Sequence, residues 1–188
     1  MDLQIFSSKH LLAAKAICDA QFGQDYLGMG DLEKYLAPPH IGLVATKNQE
    51  LLGLTLIKIG DVETISKELL AGQDWFLSKF KDYSKIALRK HLAVLPGQEG
   101  LGIGRLLMAR GMQLLEEQGI EVIISVVWKE GASKALHKLL TSFQSIPIHT
   151  IDNYWKVDSL KKGYICPGCK QLPCECSVTV YSKIIHQK

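Results

Sequence analysis

Two short stretches hold chemistry that regular secondary structure does not ask for. The first, CPGCKQLPCEC, puts Cys166, Cys169, Cys174 and Cys176 into one segment. Two chelating pairs closed over a short loop, with Pro167-Gly168 turning the first, suit an ion held tetrahedrally by thiolates. Four thiolates around one Zn²⁺ leave a local charge of about −2, which Lys161, Lys162 and Lys170 offset in part. Four protein ligands leave no open position, so such a metal is structural. Disulfides are the rival reading, and a reducing compartment disfavours them. The second stretch is HLAVLPGQEGLGIGRLL, residues 91–107, with glycines at Gly97, Gly100, Gly102 and Gly104. Glycine in regular structure costs about 0.5–1 kcal/mol relative to alanine, so this run points to unusual dihedrals or close backbone approach. A glycine turn between a strand and a helix offers several N–H groups to an anion, helped by the helix dipole. A dinucleotide fingerprint needs a different glycine spacing, because Gly100-x-Gly102-x-Gly104 runs on into Leu106 and Leu107. A P-loop needs Gly-Lys-Ser/Thr, and here Arg105-Leu106 follow Gly104. A tight turn with no ligand is the remaining alternative.

The elements that must hold these stretches are legible in outline. Residues 3–7 suggest a short strand, and Ser8 can cap a helix through Phe22, on which Cys18 reads as a core cysteine. The loop FGQDYLGMG leads to a short helix near Asp31–Leu36, and IGLVATK and LLGLTLIKI form two strands about the turn Asn48-Gln49-Glu50. Over residues 61–84, Ile65, Leu69, Phe76 and Phe80 recur at near-helical spacing across Gly72, giving one broken helix or two short ones. IALRKHLAVL is a strand, and a helix follows the glycine turn over Gly102–Gln118, with Gly119 placed to end it. EVIISVVW is a buried strand, Ser133–Ser142 a helix, and IPIHTIDNYWKV and SVTVYSKII a final pair of strands. The four cysteines interrupt that pair, in a loop spanning residues 164–177.

Composition narrows the class. A 188-residue chain without repeats or low-complexity linkers reads as one domain over 1–188, with 47% apolar and 22% charged residues as in globular proteins. A net charge of +3 without a basic stripe argues against a nucleic-acid partner. No run approaches a membrane span, and MDLQIFSSKH carries Asp2 and no long apolar core, so it does not read as a signal peptide. A cytoplasmic protein without a membrane partner is the expectation.

The stretch LAVLPGQEGLGIGRLL resembles the strand-to-helix signature of the GNAT acetyltransferase superfamily, which runs Leu-Ala-Val, a proline, then Arg/Gln-x-x-Gly-x-Gly. Element order extends the resemblance over roughly the first 160 residues. Gly102 and Gly104 match the signature glycines, while Glu99 stands where the family has Arg or Gln, with Gln98 next door. The resemblance implies an α/β fold, a mixed, mostly antiparallel sheet flanked by helices, with the zinc-type loop added between the last two strands. It implies acetyl-CoA as co-substrate, its pyrophosphate on the turn formed by Gln98, Glu99, Gly100, Leu101, Gly102, Ile103, Gly104 and Arg105. The pantetheine arm would pair with exposed backbone at Leu92 and Val94. Acetyl transfer by direct attack of a primary amine follows, the acceptor being a small-molecule amine or a protein lysine; a homodimer stays open.

Family members place an acidic tyrosine in the helix after the fifth strand. SKALHKLLTSF has none, and His137 lies near that place, either as the acid or as an exposed helix residue. Lys90 occupies the position of a glutamate that many members carry, with His91 beside it as a candidate base or a structural histidine. Tyr154 and Asp152 are further possibilities. Asp25, Tyr26 and Asp31 in the FGQDYLGMGD loop are candidates for holding a cationic amine, and the 61–84 segment could lid the site, form a partner surface or pack as core. These departures leave a second class open, a non-catalytic CoA-binding or zinc-mediated interaction module.

Overall fold

The computed structural model describes residues 1–129 and 134–185. The strands are β1 (Asp2–Ile5), β2 (Ile41–Lys47), β3 (Glu50–Gly60), β4 (Ile86–Val94), β5 (Val122–Trp128), β6 (Ile146–Ile151) and β7 (Val178–Ile184). The helices are α1 (Leu11–Phe22), α2 (Met29–Glu33), α3 (Val62–Ser66), α4 (Gln73–Phe80), α5 (Ile103–Glu117), α6 (Lys134–Ser142) and α7 (Lys156–Lys162). The seven strands follow the order β1-β2-β3-β4-β5-β7-β6, with antiparallel pairing at β1–β2, β2–β3, β5–β7 and β6–β7. This is the mixed, mostly antiparallel architecture expected. No helix among the described residues is long and apolar enough to cross a membrane.

The chain divides into two compact units, Met1–Lys58 with Arg89–Gln118, and Ile59–Leu88 with Gly119–Lys188. In the first unit, β2 and β3 are buried over almost their whole length. Covering both faces of a sheet requires such continuous apolar runs. Phe6, Ile17, Leu32, Val44 and Leu54 form its core. Cys18 joins that core at 1% exposure, and burial pushes its thiol up to about 12. Two glycines let neighbours close in. A Cβ on Gly42 would stand 2.5 Å from Cβ of Phe6, and one on Gly53 would lie 2.8 Å from the Ala93 carbonyl and 2.9 Å from Ile103. Gly53 thus fixes how closely β3 meets the end of β4 and the start of α5.

In the second unit, residues 61–84 form two short helices. Asp61 caps α3 by accepting from the Thr64 amide at 2.7 Å, and Gly72 starts α4 at φ +80°. Ile65, Leu69, Phe76 and Phe80 pack on Ile86, Val122, Ile124 and Val180, so these aromatics are core.

Three boundaries differ from expectation. Ser7, not Ser8, caps the first helical turn, which is a 3-10 turn over Ser8–His10 held by the Ser7 amide donating to Nδ1 of His10 at 3.0 Å. The short helix begins earlier, at Met29, because Gly28 and Asp31 close its N-terminus. The segment IPIHTIDNYWKV is not one strand: β6 stops at Ile151, Asn153 turns at φ +54°, and α7 follows. Asp158 in its first turn, Lys161 and Lys162 in its last, and Gly163 at φ +75° after it are helix-terminal features outweighing the strand pattern. Ser133, the expected start of α6, lies outside the described residues.

Gly53→Ala should lower stability by about 1–3 kcal/mol, because the backbone carbonyl of Ala93 cannot give way as a flexible side chain can. Thermal unfolding of the two proteins checks this.

Candidate functional site

In the first unit, β4 ends where Leu95 N–H donates to the Leu52 carbonyl at 2.8 Å, and Gln98 N–H then closes a turn onto the Leu95 carbonyl at 2.9 Å. Gly97, Gly100 and Gly102 follow at φ +84°, +80° and +81°, with no atom within 4 Å of where a Cβ would stand. Their requirement is therefore conformational, and the side-chain-free face of the turn is open to an approaching group. Gly102 is the N-cap of α5, and Leu106 N–H returns to its carbonyl at 3.0 Å. The amides of Ile103, Gly104 and Arg105 occupy the first helical turn, where no intrahelical carbonyl faces them. This backbone favours an anion.

The turn contains an anion of the protein's own. Glu99 does not extend as an arginine or glutamine of the signature would be expected to. Its Oε2 accepts from Gly97 N–H at 2.7 Å and its Oε1 from Gln21 Nε2 at 3.3 Å. The amides of its own backbone and of Gly97, with Gln21 behind them, hold its carboxyl below the usual range. The same Gln21 nitrogen donates to the Val94 carbonyl at 2.8 Å. Ala93 faces β3 with its carbonyl, so strand alternation turns the backbone groups of Leu92 and Val94 the other way. Leu101 is exposed, while Gln98 is half-buried.

His91 is buried and ringed by Phe22 at 5.3 Å and Tyr26 at 5.8 Å, with Thr55 Oγ1 donating to its carbonyl at 3.0 Å. The geometry favours its structural reading. Of the loop acids, Asp25 meets Lys15 at 3.4 Å and Asp31 meets Lys34 at 2.8 Å while capping α2. Tyr26 turns its ring toward His91.

In the second unit, His137 Nδ1 lies 2.7 Å from the Tyr181 hydroxyl. Tyr181 is buried on β7 opposite Ser125 of β5, and burial raises its phenol. Sequence reasoning looked for a tyrosine in the helix and missed this one, which reaches His137 across 44 residues of chain. Tyr154 and Asp152 serve the frame: the Tyr154 hydroxyl accepts from Leu70 N–H at 3.2 Å, and Asp152 accepts from Ser177 Oγ at 2.8 Å.

The four cysteines converge. Their sulfurs lie within 4.8 Å of one another, with Cys166–Cys176 at 3.9 Å and Cys169–Cys174 at 3.8 Å. A tetrahedral ion at a Zn–S distance of about 2.3 Å sets its sulfurs about 3.8 Å apart, whereas a disulfide needs about 2.05 Å. The donor set therefore fits a thiolate-bound metal. Burial raises the Cys176 thiol to about 11, against the Trp128 indole N–H, which favours its thiolate. The frame is specific: Lys170 N–H donates to the Cys166 carbonyl at 2.9 Å, Cys174 N–H to Ser159 Oγ at 2.9 Å, and Tyr154 N–H to the Cys176 carbonyl at 3.0 Å. Gly168 lies against the Trp128 ring, where a Cβ has no room.

The acetyltransferase (GNAT) family profile matches residues 13–140. No curated protein matches the chain in sequence. Among solved structures, NAA60 of Arabidopsis thaliana in complex with a bisubstrate analogue is similar at TM-score 0.72 and 12% identity, covering 100% of this chain and 99% of that one. The ribosomal-protein-S18-alanine N-acetyltransferase of Escherichia coli is similar at TM-score 0.67 and 13% identity, covering 100% and 95%. Salmonella typhimurium yncA with acetyl-CoA is similar at TM-score 0.68 and 12% identity, covering 100% and 95%. At these identities the likeness is one of fold.

A Co²⁺ titration reads the sulfur cluster directly through the visible bands of tetrahedral thiolate coordination. Gly168→Ala should weaken metal affinity about tenfold or more, because Trp128 and the first cysteine pair cannot both keep their places. Unchanged affinity in the variant would show that the Trp128 contact does not support the cluster.

Proposed function

We propose that this chain, which belongs to the acetyltransferase (GNAT) family, transfers acetyl from acetyl-CoA to a primary amine by direct attack of the amine nitrogen. The observation that carries this reading is the run of positive-φ glycines leading into α5, an anion-favouring backbone next to a strand end. The amides of Gly100 to Arg105 hold the diphosphate, and the backbone of Leu92 and Val94 follows the pantetheine arm. The nitrogen bonds to the thioester carbonyl carbon, the C–S bond breaks, and the sulfur leaves as a thiolate. A lysine-like amine is less than roughly 0.1% neutral at pH 7, so proton removal from the nitrogen is part of the barrier.

His137 serves as the acid for the thiolate. With both ring nitrogens protonated, Nδ1–H donates to the Tyr181 hydroxyl 2.7 Å away and Nε2–H passes to the departing sulfur, leaving a neutral ring, while the attacking nitrogen gives its proton to solvent. His91, packed between Phe22 and Tyr26, shapes this reading's acceptor side as structure rather than as a base. The acceptor is a small-molecule amine or a protein lysine; two proteins of similar fold act on protein substrates by name, which supports a protein acceptor.

Cys166, Cys169, Cys174 and Cys176 hold a structural Zn²⁺. A closed four-sulfur ion supplies local folding free energy and leaves no coordination position for substrate. Reduced cysteines in such a site suit the cytoplasm.

Calorimetry and steady-state kinetics test this assignment together. Gly102→Val forces a β-branched residue to φ +81° and should weaken CoA binding about tenfold or more. His137→Phe should keep CoA affinity while lowering turnover about 10²–10⁴-fold. Undiminished CoA affinity in folded Gly102→Val sinks the turn assignment, and full turnover in His137→Phe removes His137 from the chemistry. Tight CoA binding without turnover by the unaltered protein favours a non-catalytic binding module, the reading to which Glu99 lends support.

A further inference from the structure

The turn assigned above to the diphosphate of CoA carries a fixed negative charge. Glu99 is exposed, yet its carboxylate is placed by two donors, Gly97 N–H at 2.7 Å and Gln21 Nε2 at 3.3 Å. Gln21 is itself anchored on α1 and spans to the Val94 carbonyl at 2.8 Å. One side chain therefore ties the strand end, where the pantetheine arm is expected, to the acid beside Gly100, where the diphosphate is expected. A turn amide that could face an incoming anion is spent on the protein's own anion. The donors that hold the carboxyl below its usual range keep it ionised across the neutral range.

The electrostatic consequence depends on the charge of what arrives. Like charges a few ångströms apart near a surface repel measurably even in a high dielectric, and salt screens the effect. A CoA diphosphate brings this opposition against itself, as does the comparably charged phosphate of phosphopantetheine, and pantetheine brings none.

We propose that Glu99, held by Gln21 and Gly97, is a specificity-determining residue that lowers affinity for the diphosphate-bearing carrier relative to the uncharged pantetheine arm. This rests on the turn being the diphosphate site. Glu99→Gln removes the charge and keeps one acceptor, for Gly97 N–H, while Gln21 retains its bond to the Val94 carbonyl.

Calorimetric titration of the purified full chain with CoA, 4′-phosphopantetheine and pantetheine tests it, with thermal melts confirming that both proteins are folded. Glu99→Gln should tighten CoA about three- to tenfold at low salt, tighten phosphopantetheine as well, and leave pantetheine unchanged. The gap between the two proteins for CoA should narrow as salt is raised to about 0.5 M. Unchanged or weaker CoA binding by Glu99→Gln overturns the proposal, as does equal tightening of all three compounds, which would place the effect in loop structure and not in charge. CoA binding that tightens equally after Gly102→Val overturns instead the reading beneath it, because the diphosphate would not be on this turn. Failure of both the original protein and Glu99→Gln to bind CoA overturns both.

Discussion

The turn between β4 and α5 is built on three glycines held where a residue without a β-carbon is favoured. Gly97, Gly100 and Gly102 all sit at positive φ, and a β-carbon at any of them strains the chain whatever room surrounds it. Upstream, Gly53 lets the Ala93 carbonyl and Ile103 close on β3. The end of a buried strand and the first turn of a 15-residue helix are thereby fixed against one another. The first amides of α5 lie ahead of any intrahelical carbonyl and favour an anion, while Gly97 N–H is taken by Glu99. The glycines cost chain entropy, and the function assigned to the turn is what that cost maintains.

The two units reach stability by different means. The first is an apolar sheet core filled from α1 and α2. The second combines an aromatic helix pair with a small satellite cluster in which Cys166, Cys174 and Cys176 are the buried side chains, packed with Trp128 and Trp155. That cluster has little hydrocarbon of its own. Around it, Val157, Leu160, Ile165 and Leu172 face outward, so these four do not supply the missing core. A short loop with so few buried apolar groups needs another source of order, and four converging sulfurs provide the means. Gly168 under Trp128 couples the loop to the last residue of β5.

What was legible in the sequence is what local pattern encodes. Strand runs such as IGLVATK, the glycine spacing and the cysteine spacing are each set within a few residues, and each corresponds to an element or cluster where expected. The α7 helix was hidden because aromatic and β-branched residues around Tyr154 and Trp155 continue a strand pattern, while its capping features lie further on at Gly163. The site partners were hidden for a different reason. Tyr181 meets His137 because β7 lies beside β5, and Gln21 meets Val94 and Glu99 because α1 passes the end of β4. Such contacts belong to topology, and one-dimensional spacing carries no signal for them. His91 shows the converse: its residue type left a base or a structural histidine open, and the rings of Phe22 and Tyr26, which arrive from distant sequence, support the second.

In the proposed function the backbone turn serves acyl transfer and not binding alone. The most direct measurement follows acetyl-labelled acetyl-CoA mixed with a panel of small amines and peptides, with free thiol and acetylated product quantified in the same samples. The account predicts one thiol released for each acetyl group found on an amine, with release depending on the acceptor. Binding of acetyl-CoA with thiol release no faster than solvent hydrolysis, across a panel spanning small amines, lysine side chains and peptide N-termini, would contradict it.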